Sequence, residues 1–212
     1  MGVTVLDHLV VAARTLGEGS AYVEQVLGLP TSPGGKHPKM GTHNRLLNLG
    51  GGVYLEVIAI DPQSAPPDRP RWFGLDSQAV RESLEAGPRL IHWVARTDGL
   101  EGALARLPEL GRIHRMSRDD LSWDITIPDD GSLLEGGLVP TLISWGDTPH
   151  PTTRLPEVGC RLVGLRGVHP RPERVAQALW KLDMAEALEL HQGEQVGLEA
   201  KIQTPGGLRL LR

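Results

Sequence analysis

The feature that most constrains the fold of this chain is an internal repeat. Leu6-Asp7-His8-Leu9-Val10 matches Leu90-Ile91-His92-Trp93-Val94, and both segments continue into Ala-Arg-Thr. Each segment is short and rich in Val, Ile and Leu, which predicts a β-strand. A strand that recurs with a histidine at the same phase indicates that the chain is built from repeated supersecondary units.

The elements predicted after each of these strands follow the same order. An amphipathic helix comes first, from about Ser20 to Leu27 in one copy and from Leu100 to Leu107 in the other. Three further strands follow the helix in each copy, if a short strand near Leu29–Ser32 is allowed. The stretch from Thr31 to Asn44 is otherwise predicted to be a loop.

This order predicts the organisation of the whole chain. Residues 1–60 and 89–147 are each expected to form a βαβββ module, and a Pro-rich connector with a short helix joins them at 61–88. The order recurs in residues 148–212, which are expected to form a third βαβββ-like unit with Val163 in place of the histidine. The predicted fold class is α+β.

Composition excludes several functional classes. Hydrophobic residues make up 40% of the chain and charged residues 23%, with a net charge of −4, which argues against disorder and against nucleic-acid binding through general basicity. No apolar run is long enough to span a membrane, and Met1–Leu9 lacks the basic region of a signal peptide. The single cysteine, Cys160, excludes an internal disulfide. A cytoplasmic protein without membrane or nucleic-acid partners is therefore expected.

Three side chains suggest a metal site. Glu56 lies within the apolar strand Tyr54–Ile60, where a carboxylate is costly to bury unless it is paired or bound to a metal. If the last strand of a module lies beside its first, Glu56 and His8 share one face of the sheet, and His92 can point into the same cavity. Two imidazoles and a carboxylate suit Fe(II), Mn(II), Ni(II) or Zn(II). The alternative is that each histidine is an ordinary hydrogen-bonded core residue.

Several segments of the chain resemble the bacterial glyoxalase-like proteins of the vicinal oxygen chelate superfamily. They are Leu6-Asp7-His8-Leu9-Val10-Val11, Gly41-Thr42-His43-Asn44, Tyr54-Leu55-Glu56-Val57-Ile58-Ala59, Arg69-Pro70-Arg71-Trp72-Phe73-Gly74-Leu75, Met116-Ser117-Arg118-Asp119-Asp120-Leu121 and Pro140-Thr141-Leu142-Ile143-Ser144-Trp145-Gly146. The resemblance implies paired βαβββ modules that form a cupped mixed sheet around a divalent metal ion.

The resemblance also implies a ligand set with one departure from the family pattern. His8, Glu56 and His92 match three of the four ligand positions. Spacing puts Leu142 or Ser144 at the fourth position, and neither is a carboxylate. In glyoxalase I this carboxylate also takes part in proton transfer, so its absence argues against true glyoxalase I activity.

Three functional hypotheses remain open at this stage. The first is a metal-dependent lyase, isomerase or dioxygenase, in which the metal acts as a Lewis acid on a small oxygenated substrate. The second is a metal-free binding protein that sequesters a small molecule, as bleomycin-resistance proteins do. The third is a scaffold whose site has decayed, in which case a homodimer could pair the third unit.

Further residues are candidates for proton transfer and substrate contact. His43 precedes a predicted cup strand and is the candidate base, although a solvated loop histidine is the alternative. Arg45 lies in a segment with Lys36 and Lys39 that could admit an anionic substrate. Ser117 and Arg118 are expected to contact substrate, although Arg118 could instead pair with Asp119 or Asp120 at the surface. Three tryptophans could either line an apolar pocket or pack in the core: Trp93, Trp123 and Trp145.

Overall fold

The computed structural model describes residues 3–212, which fold as a mixed α+β protein. The helices are α1 (Leu16–Leu27), α2 (Gln78–Glu85), α3 (Leu100–Arg106) and α4 (Pro172–Lys181). A larger sheet contains β1 (Val5–Ala12), β2 (Ser32–His37), β3 (Thr42–Asn48), β4 (Tyr54–Ile60), β5 (Arg89–Arg96), β6 (Arg112–Arg118), β7 (Leu121–Ile127) and β8 (Thr141–Ser144). A smaller sheet contains β9 (Arg161–His169), β10 (Glu189–Gln192), β11 (Gly197–Thr204) and β12 (Gly207–Leu211). Each of the described helices is too short or too polar to span a lipid bilayer.

The larger sheet is built from two halves with the same topology. Its eight strands run in the order β2-β3-β4-β1-β5-β8-β7-β6. In each half the first strand pairs in parallel with the last, β1 with β4 and β5 with β8, and the antiparallel pair β1–β5 joins the halves. The two edge strands, β2 and β6, come into contact, so the sheet curls into a cup. The predicted α+β fold with tandem βαβββ modules is confirmed.

Alternation along β1 separates the two faces of the sheet. Leu9 and Val11 belong to the hydrophobic cluster on the outer face, which the helices cover. Val10 and Ala12 belong to a second cluster inside the cup, together with Trp72 and Trp123. Both faces are therefore buried, as the apolar residues on both sides of the predicted strand indicate.

A β-bulge in β1 changes the direction of one side chain. Leu6 pairs with Ala95 and His8 pairs with Val94, so Asp7 is an extra residue in the β1–β5 ladder. Strict alternation predicts that Asp7 points away from His8, and this expectation is wrong. A bulge lets two successive side chains point to the same side of the strand, and the Asp7 carboxylate contacts the His8 ring.

Two boundaries in the first module differ from the sequence prediction. Helix α1 begins at Leu16 rather than near Ser20, because the side chain of Thr15 caps it by accepting a hydrogen bond from the Glu18 amide. Glycines in its first turns obscured this start, and Gly19 is required there because a Cβ would overlap Val57. Strand β2 occupies much of the stretch predicted as a loop.

The third unit has the predicted order of elements but a different pairing. Its strands run β10-β9-β11-β12, so the parallel partner of its first strand is the second strand rather than the last. Its apolar side chains join the outer cluster of the larger sheet, and the Leu90 amide donates to the Arg212 carbonyl. The third unit therefore packs behind the cup, and Val163, aligned with the two histidines, is 54% exposed.

Candidate functional site

The cup holds a pocket with about 390 Å³ of empty space, which includes its open mouth. Its walls are mainly aromatic and aliphatic and come from both modules and the connector: Leu46, Tyr54, Trp72, Phe73, Trp123, Ile125, Ile143 and Trp145. Five polar side chains also line it: His8, His37, Asn44, Glu56 and Arg118. An apolar cavity with a few convergent polar groups is the usual form of a small-molecule site.

Three of the polar side chains are linked across the pocket. Arg118 Nη1 donates to Asn44 Oδ1 at 2.8 Å, and Asn44 Nδ2 donates to Glu56 Oε1 at 2.6 Å. Asn44 also accepts from the Gly35 amide, which fixes the orientation of its side-chain amide. Glu56 is thus held through one carboxylate oxygen, and the other oxygen remains directed towards His8.

His8 is oriented by Asp7 behind it. His8 Nδ1 lies 2.6 Å from Asp7 Oδ1, while His8 Nε2 lies 3.7 Å from Glu56 Oε2, which is too long for a direct hydrogen bond. The ring of His8 stacks on Tyr54, with the ring centroids 4.5 Å apart. The tips of His8 and Glu56 therefore face each other across a gap that a ligand atom can bridge.

The charge state of Asp7 fixes the role of the His8 nitrogen that it contacts. Burial alone would raise the pKa of Asp7, but hydrogen bonds from His150 and His8 hold that pKa well below its usual value. Asp7 also accepts a hydrogen bond from the Trp145 indole at 3.0 Å. Because an ionised carboxylate only accepts hydrogen bonds, Nδ1 of His8 carries the proton, and in the neutral ring Nε2 has the free lone pair.

A second buried histidine of the pocket remains uncharged. Burial and the neighbouring Arg118 guanidinium lower the pKa of His37 to about 3. Its Nδ1 lies 3.0 Å from the Thr42 hydroxyl, and its ring meets Trp72 edge-on at 5.0 Å between centroids. His37 therefore contributes hydrogen bonding and shape to the pocket rather than charge.

His92 lies outside the pocket, although it shares a phase with His8. Its Nδ1 donates to the Gly137 carbonyl at 3.0 Å, and its Nε2 accepts from the Thr141 amide at 3.1 Å. Burial lowers the pKa of His92 to about 3, so the ring is neutral. Both ring nitrogens are thus occupied, one by Gly137 in the segment before β8 and the other by Thr141 at the start of β8.

The register of β8 places Thr141 at the position that Glu56 has in the first module. Glu56 pairs with Val10, two residues after His8, and Thr141 pairs with Val94, two residues after His92. Spacing predicted Leu142 or Ser144 at this position, and this expectation is wrong by one or more residues. The Thr141 hydroxyl lies 3.0 Å from His92 Nε2, so the second module has a neutral His–Thr pair where the first has His8 and Glu56.

The donor groups do not fit the predicted metal centre. His8 and Glu56 face each other, but His92 would have to break its bonds to Gly137 and Thr141 to join them. Within residues 3–212, no group of three or more His, Cys, Asp and Glu side chains is arranged to hold a metal ion. The structure therefore brings together two of the three predicted ligands.

The predicted base His43 and the predicted substrate contact Arg45 lie on the other face of β3. Asn44 between them points into the pocket. Arg45 donates to the hydroxyl and the carbonyl of Thr31, and His43 Nε2 is buried without a hydrogen-bond partner. Burial lowers the pKa of His43. These side chains do not contact the pocket, because the predicted loop forms the first part of β3 and its alternation turns His43 and Arg45 outwards.

The remaining candidates for substrate contact lie on different faces of the sheet, some inside the pocket and some outside it. Arg118 and Trp123 line the pocket. Ser117 lies between inward-facing neighbours on β6 and is exposed on the outer side. Trp145 also lines the pocket, whereas Trp93 is buried in the outer cluster, where its indole donates to the Leu138 carbonyl.

Sequence reasoning missed Asp7, His37 and Asn44 as site residues. Asn44 carried a usable signal, because it shares the phase of Leu46 on a strand whose inward face must close the cup. The sequence signal for Asp7 is weaker: it is a second carboxylate in an apolar strand. His37 lay in a stretch predicted as a loop, so its direction could not be inferred.

Comparison with known families settles the relationship of the chain. A family model described as "Glyoxalase-like domain" matches residues 6–182. The chain belongs to the glyoxalase-like domain family. This confirms the resemblance to glyoxalase-like proteins that the sequence shows. No curated protein sequence matches the chain.

Solved structures with a similar fold include proteins of different sizes. A hypothetical protein from Staphylococcus aureus has a TM-score of 0.63 at 14% identity, over 99% of both chains. Methylmalonyl-CoA epimerase from Mycobacterium tuberculosis has a TM-score of 0.41 at 16% identity, over 67% of this chain and 88% of that one. A methylmalonyl-CoA epimerase in complex with methylmalonyl-CoA and NH4+ has a TM-score of 0.44 at 18% identity, over 70% of this chain and 99% of that one. At these identities the similarity concerns the fold alone.

Proposed function

We propose that this protein is an enzyme that binds a small oxygenated organic anion in the cup and transfers a proton to and from it, as isomerases and lyases do. The observation that carries the proposal is the Asp7–His8–Glu56 arrangement, in which His8 Nε2 and Glu56 Oε2 face each other 3.7 Å apart inside the pocket. A base oriented by a buried carboxylate is the usual arrangement for general acid–base catalysis.

Arg118 supplies the binding group for the anion. Its guanidinium lines the pocket and bonds the neutral Asn44, and no carboxylate within residues 3–212 lies within 4.0 Å of it. An arginine without an acidic partner can bind a carboxylate in two-point fashion. The aromatic walls exclude water around the bound molecule, which strengthens both hydrogen bonds between the arginine and the carboxylate.

His8 accepts a proton from a carbon next to a carbonyl group of the substrate and returns it to the same or a neighbouring carbon. Asp7 stabilises the imidazolium that forms meanwhile, as a carboxylate behind a catalytic histidine does. Glu56 is held by Asn44 through one oxygen, so its other oxygen can accept a hydrogen bond from a substrate hydroxyl.

Proton exchange in D2O tests this function directly. Purified protein is incubated with a panel of small 2-oxo and 2-hydroxy carboxylates, and loss of the carbon-bound proton signal is followed by NMR. We expect exchange of at least one compound, with a loss on the order of 100-fold or more in His8→Ala. His92→Gln, at the matching position of the second module, should retain exchange. Equal exchange by wild-type protein and His8→Ala would refute the role of His8.

A second candidate function is metal-free binding without turnover, the second of the hypotheses that the sequence left open. The aromatic walls of the pocket favour it. A compound that stabilises the protein in a thermal shift assay, in the presence of EDTA and without any proton exchange, would support this candidate. Arg118→Gln should weaken its binding about 10- to 100-fold.

Metal-dependent chemistry remains a prediction of the sequence. One feature agrees with it, because histidine ligands of metals commonly donate their other ring nitrogen to a carboxylate, as His8 does to Asp7. Elemental analysis tests whether the protein binds a metal. Wild type, His8→Ala and His92→Gln are each loaded with Zn(II), Mn(II) or Ni(II), or with Fe(II) under anaerobic conditions, before the analysis. Stoichiometric metal that is lost in both variants would show that His92 leaves its bonds to Gly137 and Thr141.

A further inference from the structure

A groove outside the pocket collects positive charge. It is formed by the short turn before β3, the connector and β6, and contains about 1160 Å³ of empty space including open solvent. The charged and titratable side chains that line it are Lys39, Asp68, Arg69, His114 and Arg115. We refer to it as the Lys39–Arg69 groove.

Two of these cations have no acidic partner. Lys39 Nζ donates to the Arg115 carbonyl at 3.1 Å, and Arg69 Nη2 donates to the Pro128 carbonyl at 3.0 Å. No carboxylate within residues 3–212 lies within 4.0 Å of either side-chain nitrogen group. Arg115 is neutralised by Asp124 at 3.1 Å, and Asp68 is the acid that lines the groove. The groove is therefore net positive on a chain whose net charge is −4.

Arg69 and His114 form a fixed pair on the groove wall. Arg69 Nη1 lies 2.6 Å from His114 Nε2, and the Pro128 carbonyl holds the other branch of the guanidinium. Burial and the adjacent Arg69 charge lower the pKa of His114, so the ring accepts the Arg69 contact and does not repel the guanidinium. A guanidinium held in this way is already ordered, so the two terminal nitrogens can bind an anion at little entropic cost.

One lining residue of the groove, His114, and one of the pocket, Arg118, lie on the same face of β6. Met116 pairs with Trp123 and belongs to the cluster inside the cup. Alternation places His114 and Arg118 on the same face as Met116, one on either side of it. At about 3.3 Å per strand residue, His114 and Arg118 are roughly 13 Å apart along the strand. Arg118 and the histidine that contacts Arg69 thus lie at opposite ends of a single inner row.

We propose that the Lys39–Arg69 groove binds a phosphate group, and that this phosphate is the far end of an elongated ligand whose carboxylate end lies on Arg118. The second part rests on the proposed function of the pocket, whereas the first part does not. A phosphate presents three oxygens and close to two negative charges, which suit one lysine point charge and one arginine fork from different elements.

Titration with inorganic phosphate, followed by NMR chemical shifts of the intact protein at low salt, tests the groove alone. Lys39→Gln and Arg69→Gln should each weaken phosphate binding about tenfold, and Asp68→Asn should strengthen it. Arg112→Gln is the matched control, because Arg112 is an exposed arginine of β6 that is paired with Asp129 outside the groove. If Arg112→Gln weakens binding as much as Lys39→Gln, attraction is general and the site is refuted. Since Arg69 also holds Pro128, Lys39→Gln keeps the test valid if Arg69→Gln fails to fold.

A series of unbranched phosphonoalkanoates of increasing length tests the bridge. We expect an optimum length at which the affinity exceeds that of inorganic phosphate at least tenfold, and Arg118→Gln should abolish this gain while leaving phosphate binding unchanged. Phosphate binding without a length optimum would refute the bridge alone. Failure of the proposed function would appear separately, as the absence of proton exchange.

Discussion

The two modules of the cup share a backbone plan but treat the same histidine position differently. In the first module His8 contacts Asp7 on one side and faces Glu56 on the other. In the second module His92 is bound on both sides by Gly137 and Thr141, and no carboxylate takes part. His8 therefore faces the pocket, whereas His92 holds the segment before β8 in place through hydrogen bonds.

The difference arises from the extra residues in two bulges. β1 carries an extra residue at Asp7, and β5 carries one at Ile91, between the partners of Val10 and Val11. The extra residue brings a carboxylate to His8, whereas at His92 it brings an apolar side chain that packs inside the cup. Equivalent positions in repeated modules therefore do not share a function when their neighbours differ.

The largest expected effect concerns acid stability, since each module has one buried histidine with a pKa of about 3, His37 and His92. These pKa values lie below the value of about 6.5 in the unfolded chain, so the unfolded state binds more protons between pH 6.5 and 3. The stability contribution is complete above about pH 6.5 and is lost as the pH falls, with a slope of roughly 2.7 kcal/mol per pH unit for both residues.

Urea unfolding between pH 4 and 7 measures this slope, and His92→Gln should reduce it by about half. His191→Gln, at a half-exposed position of the third unit, is the control and should leave it unchanged. An unchanged slope in His92→Gln would show that His92 titrates normally in the folded protein.

The next largest effect compares the contact of Asp7 with His8 in the first module and the contact of Thr141 with His92 in the second. Asp7→Asn replaces an acceptor of three hydrogen bonds, from His8, His150 and Trp145, by an amide that can accept through only one oxygen. We expect a loss of about 2–4 kcal/mol in the free energy of unfolding. Thr141→Val should cost only about 1 kcal/mol, because the Thr141 amide still donates to His92. Equal losses, measured by urea denaturation at pH 7, would contradict the greater importance of the first module's carboxylate.

A third prediction compares glycines of the two modules. Gly137 has φ +96 and a Cβ there would overlap the Ile91 carbonyl, whereas Gly51 has φ +60 in open space. Gly137→Ala should therefore cost about 3 kcal/mol and Gly51→Ala about 1 kcal/mol. A cost for Gly137→Ala that does not exceed that of Gly51→Ala would show that the segment before β8 can move away from His92.

The smallest effect concerns the helix starts. Thr15 caps α1 through its side chain, whereas Gly99 precedes α3 without a side-chain cap. Thr15→Ala should lower the free energy of unfolding by about 1 kcal/mol, and Gly99→Ser should raise it by a few tenths, about 0.3 kcal/mol. Thermal unfolding measures the difference in stability between each of these variants and wild type. Ser20→Ala, at the helix start predicted from the sequence, is the control.

Sequence patterns predicted the strands and their approximate bounds well where apolar residues were continuous. Strand β5 has the bounds expected from Arg89 to Arg96, and in each cup module the last strand lies beside the first, as the metal-site hypothesis assumed. Strand β2 was allowed only as a short strand near Leu29–Ser32, because the segment that forms it contains Pro33, Gly34 and Gly35, which are typical of loops. Such an edge strand depends on its partner β3 rather than on its own propensity.

The site could be predicted only in part, because single-residue offsets decide which side chains enter the cup. Glu56 and His8 followed from the apolar strand and the repeat. Asn44 was missed in favour of His43 by one position, and Asp7 enters through a bulge that no residue type marks. The binding of His92 by Gly137 depends on a chain segment 45 residues away, which no local pattern encodes.

The bulge at Asp7 also has a genetic consequence. A bulge is one additional residue in an otherwise regular ladder, so deleting a single codon would restore even pairing with β5 and leave His8 in its place without a carboxylate behind it. Proteins with this architecture can therefore gain or lose an oriented base by one in-frame insertion or deletion, without any change in the histidine itself.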